Sequence, residues 1–140
     1  MSTNKGRILA VDDNTDVLYA LKLLLKSHFE LIRTEETPDR IPELIKKNDF
    51  DVILLDMNFT KDAISGKEGF YWLNKILEID PNSVVIFITA YGDVENAVKA
   101  IKKGAIDFVH KPWQNEKLLA TISAAIKLRE SRKQVSSSLV

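Results

Sequence analysis

Short runs of consecutive apolar residues, many of them β-branched, alternate along this chain with longer stretches in which apolar positions recur every three or four residues. That alternation is the pattern of a parallel sheet whose strands are joined by crossover helices. Strands are predicted at Arg7 to Val11, Glu30 to Thr34, Asp51 to Leu55, Val84 to Ile88 and Ile106 to Val109. Three of these are apolar on both faces, as strands in the interior of a covered sheet must be. A helix is predicted after each strand. The first runs from Thr15 to Ser27 with Val17, Leu21, Leu24 and Leu25 on one side, and the second from Pro38 to Lys47 with Ile41, Leu44 and Ile45,. The third, Glu68 to Glu78, carries Phe70, Leu73, Ile76 and Leu77 and stops before Asp80-Pro81,. The fourth is capped by Asp93, turns Val94, Ala97, Val98 and Ile101 inward and ends at Gly104,. The fifth follows Pro112 with Leu118, Leu119, Ile122 and Ile126 as its stripe.

The chain has 140 residues and 45% hydrophobic content, which suits one domain with a real core,. Residues 1–130 are expected to form that domain. The Ser-rich stretch 131–140 loses the apolar period and reads as a linker or a cut end toward a possible output domain,. Twenty Lys and Arg offset twenty Asp and Glu, so net charge gives no reason to expect direct nucleic-acid binding or attachment to an anionic membrane. The absence of cysteine excludes disulfide frameworks, thiolate zinc sites and cysteine nucleophiles, and suits the cytoplasm,. The polar start, Met1 to Arg7, has no signal-peptide core, and the run Val84 to Ile88 is too short to span a bilayer,. One connection stands out: Asn58 to Lys67 is longer than the usual strand-to-helix loop of ~2 to 6 residues, which marks it for function,.

In an open doubly wound sheet, ligands bind outside the carboxyl ends of the strands, at the point where strand order reverses. The polar residues at those ends are Asp12 and Asp13, Asp56, Thr89 and Lys111. With the flavodoxin-like order 2-1-3-4-5, the first and third strands are neighbours, and Asp12 and Asp13 stand about one strand spacing, ~4.8 Å, from Asp56. Each residue alone has an ordinary reading: a helix cap, a loop carboxylate, a turn hydroxyl, a solvated ammonium. Asn14 and Thr15 are equally good caps for the first helix. Together, three carboxylates at one sheet edge repel one another and call for a cation. Oxygen ligands with no histidine or cysteine suit Mg²⁺ better than zinc. His28 and His110 lack spaced partners, and a surface or supporting role is expected for both. Phosphoryl transfer uses this inventory: Asp56 can attack, and Thr89 and Lys111 can donate to the developing charge.

The pair Asp12-Asp13, the strand Val52-Ile53-Leu54-Leu55-Asp56, the stretch Ile88-Thr89-Ala90-Tyr91-Gly92, and Gly104-Ala105-Ile106-Asp107-Phe108 leading to Lys111-Pro112 resemble the two-component response-regulator receiver domain. The resemblance spans about Lys5 to Leu128. From Thr89 through Trp113 it is most similar to receivers of the nitrogen-regulatory type, which precede an ATPase acting on sigma-54 polymerase and a DNA-binding module. It implies Asp56 as phosphoacceptor, Asp12 and Asp13 as metal ligands, and the main-chain carbonyl of Asn58 as a further ligand. It implies that Lys111 pairs with the phosphoryl oxygens, that Thr89 hydrogen-bonds the phosphate, that Phe108 is the aromatic switch and that the Lys111-Pro112 peptide is cis. A sensor histidine kinase would be the phosphoryl donor, transcription the controlled output and a homodimer the phosphorylated state. Enzyme activity would be confined to Mg-dependent self-phosphorylation and self-dephosphorylation.

The chain departs from the family where Pro usually follows the phosphoacceptor by four residues: position 60 is Thr, and the loop through Gly66 is longer. Two other functions compete. An aspartate-nucleophile phosphatase of the haloacid-dehalogenase kind would need Asp-x-Asp after the first strand, where this chain has Asp12-Asp13-Asn14, and would need a cap domain. A non-phosphorylated docking module, flavodoxin-like or a degenerate receiver, would carry a Ser/Thr/Gly phosphate loop or lack a key residue.

Overall fold

Five parallel strands form one sheet in the order β2-β1-β3-β4-β5. The computed structural model describes residues 4–57, 67–90 and 92–138. The strands are β1 (Asn4–Val11), β2 (Phe29–Glu35), β3 (Val52–Asp56), β4 (Val85–Ala90) and β5 (Asp107–Lys111). The helices are α1 (Thr15–Leu25), α2 (Ile41–Lys47), α3 (Lys67–Ile79), α4 (Val94–Lys102) and α5 (Asn115–Ser138). Because side chains alternate across a strand, the sheet feeds two cores. Ile8, Ala10, Leu54, Ile86 and Ile88 meet Leu18, Leu21 and Leu25 of α1 and Leu118, Ile122 and Ala125 of α5. Leu9, Val11, Ile53, Leu55, Val85 and Phe87 meet Ile41 and Leu44 of α2, Leu73 and Ile76 of α3 and Ala100 of α4. The expected order and the expected strands are found, each within a few residues at its ends.

Four expectations need correction or lie out of reach. The second helix is not continuous from Pro38: a 3₁₀ turn, Pro38–Arg40, precedes α2. Pro42 has no amide hydrogen to return to Pro38, so the α-helical ladder starts afresh around it. On α4 the buried residues are Asn96, Ala97 and Ala100, whereas Val94, Val98 and Ile101, expected to face inward, are exposed. The small alanines let the helix backbone lie close to the sheet, which leaves the aliphatic stripe at the surface. α5 continues through Ser138, so the stretch read as a linker or cut end is helical as far as that residue. Its later turns are pinned: Arg129 pairs with Asp49 and Asp80 at 2.7 and 2.8 Å, Arg132 donates to the Ser83 carbonyl at 2.8 Å, and Lys133 pairs with Asp49. The long connection Asn58 to Lys67 lies, except for Lys67, outside the described residues.

Candidate functional site

Register decides which strand-end residues become neighbours. Val11 pairs with Leu55, so Asp12 and Asp56 leave β1 and β3 side by side. Asp56 pairs with Ile88, Thr89 with His110 and Ala90 with Lys111. Oxygen atoms of Asp12, Asp13 and Asp56 all lie within 4.8 Å of one another. Asp12 is fully buried, Asp56 nearly so, and Asp13 is exposed. The capping question is settled by Asn14, whose Oδ1 accepts from the amides of Asp16 and Val17 at 2.9 and 3.3 Å. Asp12 Oδ1 accepts from the Asn14 amide at 2.9 Å. The acidic pair is therefore held at the mouth of α1 without being its cap.

Lys111 supplies the opposing charge. Its Nζ lies 2.8 Å from Asp12 Oδ2 and 3.3 Å from Asp56 Oδ1, and it donates a hydrogen bond to the latter. Burial works against the ammonium, but its contacts with Asp12 and Asp56 outweigh burial and hold it above the usual lysine range. The Asp56 carboxyl moves the other way. Burial first, and the neighbouring Asp12 charge second, push it up to about 7, against the pull of Lys111,. One lysine does not neutralise this cluster.

The donor set fits a hard cation. Asp12 Oδ2 is buried and, among the described residues, accepts no aligned hydrogen bond in spite of its contact with Lys111. It faces two further carboxylates with no histidine or cysteine among them, which favours an oxygen-seeking ion over zinc. The site can thus offer a nucleophilic carboxylate, oxygen ligands and a fixed ammonium in one patch.

The other expected residues sit nearby with partners of their own. Thr89 is buried, and its Oγ1 lies 3.2 Å from His110 Nδ1. The Phe108 ring is stacked edge-on against the His110 ring, with centroids 5.3 Å apart. The Lys111-Pro112 peptide is cis, as the sequence resemblance implies. Asn58 lies outside the described residues.

Residues 8–123 match the family model of the response regulator receiver domain. The chain belongs to that family. Among relatives of this receiver, the response regulator protein TmoT of Ectopseudomonas mendocina is 31% identical over 96% of the chain and 59% of its own length. The N-terminal signal receiver domain of a two-component system response regulator from Bacteroides fragilis superposes with a TM-score of 0.79 at 42% identity, covering 89% of this chain and 98% of that one. The receiver domain of NtrX from Brucella abortus gives a TM-score of 0.77 at 28% identity, covering 86% and 98%. NtrX matches the likeness to the sigma-54 activator type, and the receiver spans only 59% of TmoT and 54% of TodT from Pseudomonas putida. Family membership sets the haloacid-dehalogenase alternative aside.

Gly69 escaped the sequence reading, and His110 was expected only in a surface or supporting role. His110 touches both Thr89 and Phe108, which only strand register reveals. Gly69, in the first turn of α3, is buried where an added Cβ would lie 2.5 Å from the Met57 carbonyl oxygen. Its signal was a glycine inside a helical pattern, a place where glycine costs stability without a packing reason.

Proposed function

We propose that this receiver takes a phosphoryl group from a sensor histidine kinase onto Asp56 and that the modified site changes the surface built by α4, β5 and α5. The observation that carries this reading is the buried pair Asp12 and Asp56, with the Lys111 ammonium between them at the carboxyl ends of adjoining strands. An Asp56 carboxylate oxygen attacks phosphorus, the bond from phosphorus to the donor imidazole nitrogen breaks, and the imidazole leaves. The product is an acyl phosphate on Asp56. Asp12, Asp13, Asp56 and the Asn58 main-chain carbonyl would hold Mg²⁺, which would supply the positive charge that favours ionised Asp56 and offsets the charge of the phosphoryl oxygens. Lys111, already beside Asp56 Oδ1, donates to one phosphoryl oxygen. The Thr89 hydroxyl donates to another, and Phe108 follows it.

The chain's place in a longer protein belongs to the same proposal. Residues 1–130 act as the receiver, and 131–140 lead toward an output domain that controls transcription in the cytoplasm. Among the described residues, no helix is long and apolar enough to cross a membrane. The phosphorylated receiver forms a homodimer and does not itself contact nucleic acid.

The test is intact mass after incubation with acetyl phosphate and Mg²⁺. A single phosphoryl adduct is expected, lost with EDTA and lost in Asp56→Asn. An adduct that persists in Asp56→Asn places the acceptor elsewhere, and equal rates with and without Mg²⁺ remove the metal from the reaction.

A further inference from the structure

His110 is the unexplained residue beside the site. It follows neither from the acidic cluster nor from the phosphoryl chemistry. Its backbone pairs with Thr89 across β4 and β5, so the two side chains share one face of the sheet,. Phe108, two residues earlier on β5, projects from that same face, opposite Phe87,. Phe87 is fully buried and closed off by the edge-on ring of Phe70, with centroids 6.4 Å apart. The imidazole therefore lies at the top of a packed aromatic row, with Thr89 Oγ1 3.2 Å from its Nδ1 and the Phe108 ring against its side.

A threonine hydroxyl has one proton, and the ring nitrogen it meets either accepts that proton or donates its own. In both cases, turning the hydroxyl toward a phosphoryl oxygen changes the geometry at Nδ1. Phe108 has no hydroxyl with which to sense that change through a polar contact of its own. It does share a packed surface with the ring that feels it. We propose that His110 is a positioning residue of the switch: its imidazole, bonded to Thr89 and stacked on Phe108, is the link through which movement of the Thr89 hydroxyl reaches the Phe108 ring. This rests on Asp56 as the phosphoacceptor.

Three variants separate the two contacts. His110→Asn keeps a hydrogen-bonding atom near the Nδ1 position and removes the ring. His110→Phe keeps the ring and removes the nitrogen, and His110→Ala removes both. The readout is the NMR response of the Thr89 methyl and the Phe108 ring to beryllofluoride with Mg²⁺, an acyl-phosphate mimic, in folded protein. In the wild type both signals move together. In all three variants the Thr89 methyl still responds, while the Phe108 response falls by about five-fold, the factor carried by one net hydrogen bond. Neither half-restoring variant recovers it, because the link needs both contacts. A full Phe108 response in His110→Ala, His110→Asn or His110→Phe overturns the proposal and leaves the Asp56 assignment standing. A wild type in which beryllofluoride moves neither signal overturns the Asp56 assignment, and the coupling falls with it.

Discussion

Asp56 is held where its own charge is disfavoured, and that has a measurable consequence. In the folded chain burial and the Asp12 charge keep its proton on up to about 7, against an ordinary value of 3.8. Between these values the unfolded chain has released the proton and the folded chain has not. The unfolded state binds fewer protons, so stability falls as pH rises through this window. Asp56→Asn removes the penalty. Without Mg²⁺, the variant should match the wild type near pH 4 and exceed it by roughly 2 to 4 kcal/mol above pH 7, at about 1.4 kcal/mol per pKa unit. Urea melts at several pH values check this; a gain independent of pH would show that Asp56 ionises normally. At this scale the sequence was informative, because strand-end carboxylates, Thr89 and Lys111 are placed by a rule about sheet edges. The partners of His110 were not legible. A residue's cross-strand partner depends on register, which one strand's sequence does not state.

At the scale of elements, the period of apolar positions located every strand and helix, and its failures have identifiable causes. The α4 stripe was assigned inward because aliphatic residues usually seek the core. Ala97 and Ala100 occupy the core instead, because close approach of a backbone to a sheet selects small side chains. α3 is set against β3 by a similar economy of space. Gly69→Ala would drive a Cβ into the Met57 carbonyl, a backbone atom one residue beyond Asp56 that cannot yield as a flexible side chain would. A destabilisation of about 1 to 3 kcal/mol is expected, with slower phosphorylation, and denaturant melts alongside acetyl-phosphate kinetics check both. The later turns of α5 lacked an apolar period because polar contacts hold them. Burial disfavours the Arg129 guanidinium, yet Asp49 and Asp80 keep it fully charged and raised above its ordinary value. Arg129→Met should leave exchange at 115–127 near wild type and speed amide exchange at 130–138 by roughly five-fold, as expected for a partly solvated ion pair worth ~1 kcal/mol. Unchanged protection at 130–138 would mean that helix propensity alone sustains those turns.

At the scale of the whole molecule, the reading turns on where apolar surface has been left. Val94, Val98 and Ile101 are 55%, 44% and 40% exposed on one side of α4, beside the β5 edge that carries Phe108. Singly, exposed aliphatic residues need no explanation; three along one helix, next to the proposed switch, suit a face that a second copy covers when Asp56 is phosphorylated. α4 packs beside β5, which carries Phe108, so rotation of that ring would alter the shape a partner meets. A packed two-fold interface excludes an unpaired charge at its centre. Val98→Glu should therefore leave the rate of acyl-phosphate formation unchanged, because Val98 is exposed on α4 and is not one of the clustered carboxylates. The same variant should weaken beryllofluoride-driven association by roughly ten-fold or more, the scale of a desolvated carboxylate. Sedimentation equilibrium with and without the mimic measures both states. Wild-type dimers that form only with the mimic, together with a monomeric Val98→Glu, place the interface on α4. Dimers of equal strength in the variant would move it away from α4, leaving α5 and its exposed Val135 as the surface to probe next.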